Sequence, residues 1–148
     1  MTGSELALAT LSAGARLAVQ YNPVAAAVSV AIAAAIAGSP STRGARWKPA
    51  ALTILMGWLV GDGVHVVGLL RDLAAEYAGR PSFDASSWAG LGVASIWALG
   101  SLALGYVAPT LLGVAVGRRV THGTGRLAAA AIACSATLIL AVIVAGLS

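Results

Sequence analysis

The stretch PAALTILMGWLVGDGVHVVGLLRDL, residues 49–73, decides the fold of this chain. It is apolar over a length that can cross a hydrocarbon core of about 30 Å. Asp62 and His65 lie near its middle. An ionisable group at that depth is costly unless it faces protein or water. The stretch therefore predicts a membrane helix that is packed inside a bundle.

Side-chain spacing divides this stretch into three helical faces. At about 3.6 residues per turn, one face is a strip of small residues formed by Gly57, Gly61 and Gly68. A polar face beside it comprises Trp58, Asp62, His65, Leu69, Asp72 and Glu76. Aliphatic side chains fill the opposite side. Small residues let another helix approach closely, so we expect the glycine strip to pack against a neighbour and the polar face to point into the bundle.

Composition places the whole chain in the membrane class. Of its 148 residues, 59% are hydrophobic and 9% are charged, whereas soluble domains carry roughly 25% charged residues. We expect an all-α integral membrane protein: a four-transmembrane-helix bundle preceded by a short amphipathic interfacial helix. The four expected crossings are residues 22–38, 50–70, 88–117 and 127–147.

The expected interfacial helix lies within residues 1–21. Its polar side chains project to one side of a helix and its leucines mostly elsewhere, a pattern typical of a helix lying on the membrane. The polar set is Glu5, Ser12, Arg16 and Gln20. A half-helix that enters the membrane and breaks at Asn22-Pro23 is the alternative. Asn22 and Pro23 also predict the N-cap and first turn of the next helix.

The third crossing contains a proline and a second ladder of small residues. Pro109 predicts a kink, because it has no N–H to donate to the carbonyl of Gly105. Gly105, Pro109, Gly113 and Gly117 recur at four-residue spacing. This spacing predicts a second surface for close helix packing.

Basic residues are concentrated in two short loops, residues 39–49 and 118–126. Their cations are Arg43, Arg46, Lys48, Arg118, Arg119 and Arg126. The positive-inside rule predicts that both loops are cytoplasmic and that both termini lie outside. Anionic lipid binding is the alternative role for these cations. The net charge of +4 is dispersed over the two loops, so we expect no nucleic-acid partner. The abundance of arginine, alanine and glycine favours a bacterial inner membrane.

Asp62 and His65 are the main candidates for chemistry. Their i, i+3 spacing predicts a carboxylate and an imidazole on one face, which can relay a proton or supply two ligands to a metal ion. Asp72 and Glu76 would continue the path outward as a negative vestibule for a cation. The structural alternative is that Asp62 pairs with His65 or caps backbone groups near Gly61 and Gly63. A haem on His65 would need a ligand from another subunit.

Motifs of known enzyme classes are missing from the sequence. It contains no H-E-x-x-H, G-x-S-x-G or C-x-x-C motif, and it has five acidic residues in total. We therefore expect neither enzyme activity nor a cofactor. The leading hypothesis is a homo-oligomeric channel or transporter component in the lipid bilayer that moves a proton or cation along the second crossing. The alternative is a non-catalytic structural or assembly subunit of a larger membrane complex.

Overall fold

The computed structural model describes residues 4–5, 7–9, 12–13, 16, 22–38, 46–78, 85–120 and 124–146. Within these ranges every secondary-structure element is helical. The α-helices are α1 (Pro23–Ala37), α2 (Trp47–Trp58), α3 (Val64–Ala78), α4 (Ala85–Ser101), α5 (Ala108–Gly117) and α6 (Gly125–Gly146). A first π segment, Leu59–Gly63, joins α2 to α3, and a second π segment, Leu102–Val107, joins α4 to α5.

Three stretches of continuous helix are long and apolar enough to cross a membrane. Counting α1 as the expected first crossing, we call them the second (Trp47–Asp72), third (Gly92–Gly117) and fourth (Gly125–Gly146) candidate spans. These candidate spans indicate a multi-pass membrane protein, in agreement with the all-helical class expected from composition. The expected first crossing is the shorter apolar helix α1, whose 15 residues extend about 22 Å at 1.5 Å per residue.

Helix α1 lies at the centre of the bundle despite being short. It begins where the Asn22 side chain accepts a hydrogen bond from the Ala25 N–H at 3.1 Å, and proline occupies its first turn. It packs against α2, α5 and α6. Its fully enclosed positions are almost all alanine: Ala26, Ala27, Val30, Ala33, Ala34 and Ala37. Small side chains on α1 therefore let three helices approach its backbone at once.

The glycine ladder of the third candidate span packs against α6. Gly105, Pro109, Gly113 and Gly117 are all buried. A Cβ atom added to Gly113 would collide with the carbonyl oxygen of Ala129, and one added to Gly117 would collide with the Ala129 side chain. Backbone-to-backbone contact between α5 and α6 thus requires glycine at these two positions.

One end of the bundle is held together by Arg118. Its Nη2 donates a hydrogen bond of 3.0 Å to the carbonyl oxygen of Ala37, at the end of α1. Its guanidinium also lies 5.8 Å from the centre of the Trp47 ring, at the start of α2. A cation is favourable at the negative C-terminal end of a helix dipole. Arg118 therefore fixes the ends of α1, α2 and α5 at one level, which we call the basic end.

Helices α3 and α4 leave the central bundle as a pair. Helix α3 contacts α4 and the first π segment, and a Cβ atom added to Gly68 would meet nothing within 4 Å among the described residues. The expected glycine strip is therefore used at Gly57 and Gly61 but not at Gly68 within a single chain. In the N-terminal unit, the described residues from Ser4 to Arg16 are helical, and their location relative to a membrane stays a prediction.

Gly113→Ala tests the packing of α5 on α6. We expect it to lower the free energy of unfolding in detergent by about 1–3 kcal/mol, the usual cost of overpacking a core. Gly68→Ala is the matched control, because its methyl group enters open space and alanine favours a helix by roughly 0.5–1 kcal/mol. Denaturant titration followed by circular dichroism measures both variants. Equal stabilities for the two variants would contradict this packing.

Candidate functional site

The two π segments bring a carboxylate and a phenol together inside the bundle. Asp62 belongs to the first π segment and is 1% exposed, and Tyr106 belongs to the second and is 0% exposed. The Tyr106 hydroxyl and the Asp62 carboxylate lie close enough to interact. Both groups occur within candidate membrane spans. This pair is the candidate functional site.

Local sequence explains why the helices widen at these two places. Asp62 is flanked by Gly61 and Gly63, and glycine imposes the weakest steric restriction on the backbone. In the second π segment, the Ala108 N–H bonds to the Ala103 carbonyl, five residues earlier. Pro109 follows directly and has no N–H for the carbonyl of Gly105. Where the sequence predicts a kink, the structure accommodates the proline with a π-helical turn, a feature frequent at functional sites.

Glycines in the second candidate span make room for Tyr106. A Cβ atom added to Gly61 would lie 2.5 Å from the Tyr106 hydroxyl oxygen and 3.8 Å from the Ala25 side chain. One added to Gly57 would collide with Ser29 and lie 3.7 Å from the Tyr106 ring. The ring therefore lies along the Gly57–Gly61 strip, and its hydroxyl reaches the level of Asp62.

A hydrogen bond fixes the two π segments relative to one another. Trp58 Nε1 donates to Ser101 Oγ at 2.8 Å, and the Ser101 hydroxyl in turn donates to the Ala98 carbonyl at 2.9 Å. Trp58 immediately precedes the first π segment and Ser101 immediately precedes the second. This bond therefore sets the register in which Asp62 faces Tyr106.

The polar atoms of the pair lack hydrogen-bond partners. Among the described residues, nothing lies at hydrogen-bonding geometry to either carboxylate oxygen of Asp62 or to the Tyr106 hydroxyl. Within this part of the chain, Asp62 therefore accepts no hydrogen bond from a backbone group, as the capping alternative requires, and none from His65. An ionised carboxylate enclosed without a counter-charge or hydrogen bonds costs several kcal/mol, so this site is suited to acquiring a proton or a cation.

Asp62 and His65 do not share the buried face expected from the sequence. Asp62 is enclosed, whereas His65 is on the surface of the chain. The expectation assumed regular α-helical spacing, but the first π segment has a wider turn and rotates the following side chains away from the interior. Asp72 is also exposed, and the Glu76 side chain lies outside the described residues. Across the described part of the chain, no three His, Cys, Asp or Glu residues form a potential metal site.

Most of the expected loop cations lie around the basic end. Arg46 is half-buried, and Lys48, Arg118, Arg119 and Arg126 are exposed. Arg43 lies outside the described residues. Contacts of Arg118 with α1 and with Trp47 give this residue a structural role as well as a charge.

Tyr106 and Ser101 are site residues that sequence reasoning did not identify. Both are enclosed polar residues in the third candidate span. Their signal in the sequence is weak, because a single tyrosine or serine in an apolar helix is common. The proximity of Tyr106 to Pro109 was the available indication that backbone geometry changes here.

No protein-family model matches this chain, and no curated protein or solved structure is significantly similar to it.

Trp58→Phe tests the hydrogen bond between the π segments. We expect the variant to lose about 0.5–1.5 kcal/mol of unfolding free energy through the lost hydrogen bond. Ser101→Ala should cost less in the Trp58→Phe background than in the unaltered protein, because the partner is already gone. A double-mutant cycle from denaturant titrations measures this coupling. Strictly additive losses would show that the two residues do not act together.

Proposed function

We propose that this chain is a component of a membrane channel or transporter that moves a proton or small cation by way of Asp62. The observation that carries the proposal is the enclosed Asp62–Tyr106 pair, whose oxygens have no hydrogen-bond partner among the described residues. Ionisable groups inside membrane spans commonly mark ion pathways and proton relays. On this proposal the chain itself is not an enzyme and needs no cofactor.

The charge of Asp62 has to be neutralised inside the bundle. A carboxylate in a low-dielectric interior is stable when it is protonated, paired with a cation or fully hydrogen-bonded. The described surroundings of Asp62 offer a phenol but no cationic side chain in contact. A bound proton or a small cation would neutralise it, and exchange of that ion between two sides of a membrane is transport.

A proton fits the site better than a metal cation. The pair offers three oxygens, two from Asp62 and one from Tyr106, whereas hard cations such as Ca²⁺ take about six to eight oxygen ligands. A proton needs only one carboxylate oxygen, and the phenol can hydrogen-bond to either form of the acid. A hydrated cation, or ligands from a second subunit, would be required for metal-ion transport.

The distances of Asp62 and His65 from the basic end indicate how the proposed ion path would run through the membrane. At 1.5 Å per residue, Asp62 is about 22 Å from Trp47 at the basic end, and His65 is about 27 Å away. In a core of about 30 Å, Asp62 would be enclosed and His65 would lie near the opposite boundary. His65, which does not share a face with Asp62, would then lie between the level of Asp62 and the outer solution, with Asp72 and Glu76 beyond it.

Several features support a homo-oligomer with the basic loops in the cytoplasm. Gly68, next to the exposed part of α3, leaves room for a second copy to approach closely. The basic end carries Arg46, Lys48 and Arg118, a pattern typical of the cytoplasmic side. In this topology α1 is an additional crossing, the first in chain order, and both termini lie outside. The residues before Asn22 lie on the outer membrane surface or enter it. The membrane is a bacterial inner membrane.

Asp62→Asn is the direct test of transport. The purified protein is reconstituted into liposomes, and proton, Na⁺ and K⁺ fluxes are measured under an imposed gradient. We expect Asp62→Asn to abolish flux, because an amide cannot exchange the proton or neutralise the cation. Glu5→Gln is the matched control and should leave flux unchanged, since it removes an acid from the exposed N-terminal unit.

The oligomer of each variant is checked by size-exclusion chromatography, so that loss of flux is not confused with loss of assembly. Wild-type flux in Asp62→Asn would overturn the proposed role of Asp62. Flux of the unaltered protein no greater than that of empty liposomes would overturn the transport proposal as a whole.

Exposure of His65 and the open space beside Gly68 favour a second function, that of a structural or assembly subunit. Ionisable residues within membrane spans almost always face protein or a water-filled cavity, and a helix of another subunit could cover this part of α3. Asp62 would then be neutralised by a group from that partner.

Mass measurement after gentle solubilisation separates the two functions. If the chain is a transporter by itself, we expect a homo-oligomer of one mass, because self-association covers α3. Recovery of a stable complex with other proteins at fixed stoichiometry would favour the subunit function. His65→Cys in a Cys134→Ala background should form cross-links with a second copy in the first case and with a foreign chain in the second.

A further inference from the structure

We propose that the basic end and an adjoining outer groove form a binding site for one anionic phospholipid. The groove would hold part of an acyl chain, and Lys48, Arg118 and the first turn of α2 would hold the phosphate. This site is separate from the Asp62–Tyr106 pair and does not depend on the transport proposal.

The groove runs along the outer surface of the chain. It lies between α2 on one side and the second π segment with α5 on the other. It has a volume of about 290 Å³ and is lined almost entirely by apolar atoms. Trp47, Ile54 and Leu55 line it from α2, and Leu102 and Leu111 line it from the opposite side. From Trp47 to Ile54 it extends about 10 Å along the helix. Its shape and chemistry fit a segment of hydrocarbon chain.

Positive charge is concentrated where this groove reaches the basic end. Trp47 lines the groove, Arg118 lies over its ring at 5.8 Å, and the exposed Lys48 follows it in the chain. Indole rings favour the headgroup level of a membrane. A phosphate at that level would meet both cations while its acyl chain entered the groove below, as in basic pockets that bind anionic lipids.

The start of α2 adds backbone donors to the same place. Arg46 is the N-cap residue of α2, and its side chain makes no capping hydrogen bond. Pro49, the third residue of α2, has no N–H, so the backbone donors of this turn are those of Trp47 and Lys48, which together with the helix dipole favour an anion. The two flanking cations and the apolar groove select a phospholipid over a free anion.

A second groove provides an internal comparison. It has a volume of about 420 Å³ and is lined by Pro109, Leu112, Ala136 and Leu140, among others. Like the first groove it has no basic lining residue, but it lacks Trp47, the lining residue over which Arg118 lies in the first groove. Lipids in the second groove should therefore show no headgroup preference, which makes it a control for simple contact with acyl chains.

Lipid retention by the full-length protein tests the proposal. The protein is exposed in detergent to an equimolar mixture of phosphatidylglycerol and phosphatidylcholine, and retained lipids are counted by native mass spectrometry. We expect preferential retention of one phosphatidylglycerol. Lys48→Gln and Arg118→Gln should each reduce the preference roughly fivefold, the factor expected for one cation near an anionic surface. Ala51→Phe fills the groove without changing charge and should also reduce retention.

Matched controls are Arg126→Gln, which removes a basic-end cation from α6, a helix that contributes no residue to the first groove, and Ala136→Phe, which fills the second groove. Both should retain phosphatidylglycerol as the unaltered protein does, and circular dichroism confirms that every variant is folded. Equal retention of the two lipids by the unaltered protein would overturn the proposal. So would equal losses in Lys48→Gln and Arg126→Gln, or displacement of the lipid by soluble glycerol phosphate, which would indicate a phosphate site without an acyl groove.

Discussion

Close approach of helix backbones is the constraint on which this structure depends. Lipid tails compete with apolar side chains, so membrane helices gain little from ordinary hydrophobic burial and associate through shape. Alanines on α1 and glycines at 57, 61, 113 and 117 supply that shape. The same close approach forms the candidate site, because the Gly57–Gly61 strip lets the Tyr106 ring lie against α2 and reach Asp62. Packing and site chemistry are therefore consequences of the same small residues.

Sequence patterns predicted the helical class, the apolar segments and the buried position of Asp62, because hydropathy and small-residue spacing act along a single helix. They did not predict that Asp62 faces Tyr106. The spacing of Asp62 and His65 was interpreted with a constant helical turn, and the first π segment changes that turn between the two residues. Irregular turns of this kind depend on contacts between helices, such as the Trp58–Ser101 hydrogen bond, and leave only weak signals in the local sequence.

The bundle also separates two chemical environments along its axis. At the basic end, Arg118 joins three helices and is exposed, so its charge can be solvated. About 22 Å from Trp47 along the same span, Asp62 is enclosed at the level where α1 begins, because α1 and the Trp47–Asp62 stretch have nearly the same length. Beyond that level, α3 continues in contact with α4. The short length of α1 thus positions the enclosed acid at the transition between a tightly packed region and a more open one.

The first π segment divides the second candidate span into two α-helical parts, whose side chains point in directions that differ by a rotation about the helix axis. Before Leu59, Ala50 and Ile54 face the inner bundle, and residues after Gly63 are turned by the wider loop of backbone. Removal of a single residue from this segment would restore an uninterrupted α-helix, so that both parts would follow one constant helical turn. His65 and Asp72 would then swing toward the side now occupied by Asp62. The chain length of this one turn, rather than the identity of any side chain, thus decides which ionisable groups are hidden and which are displayed.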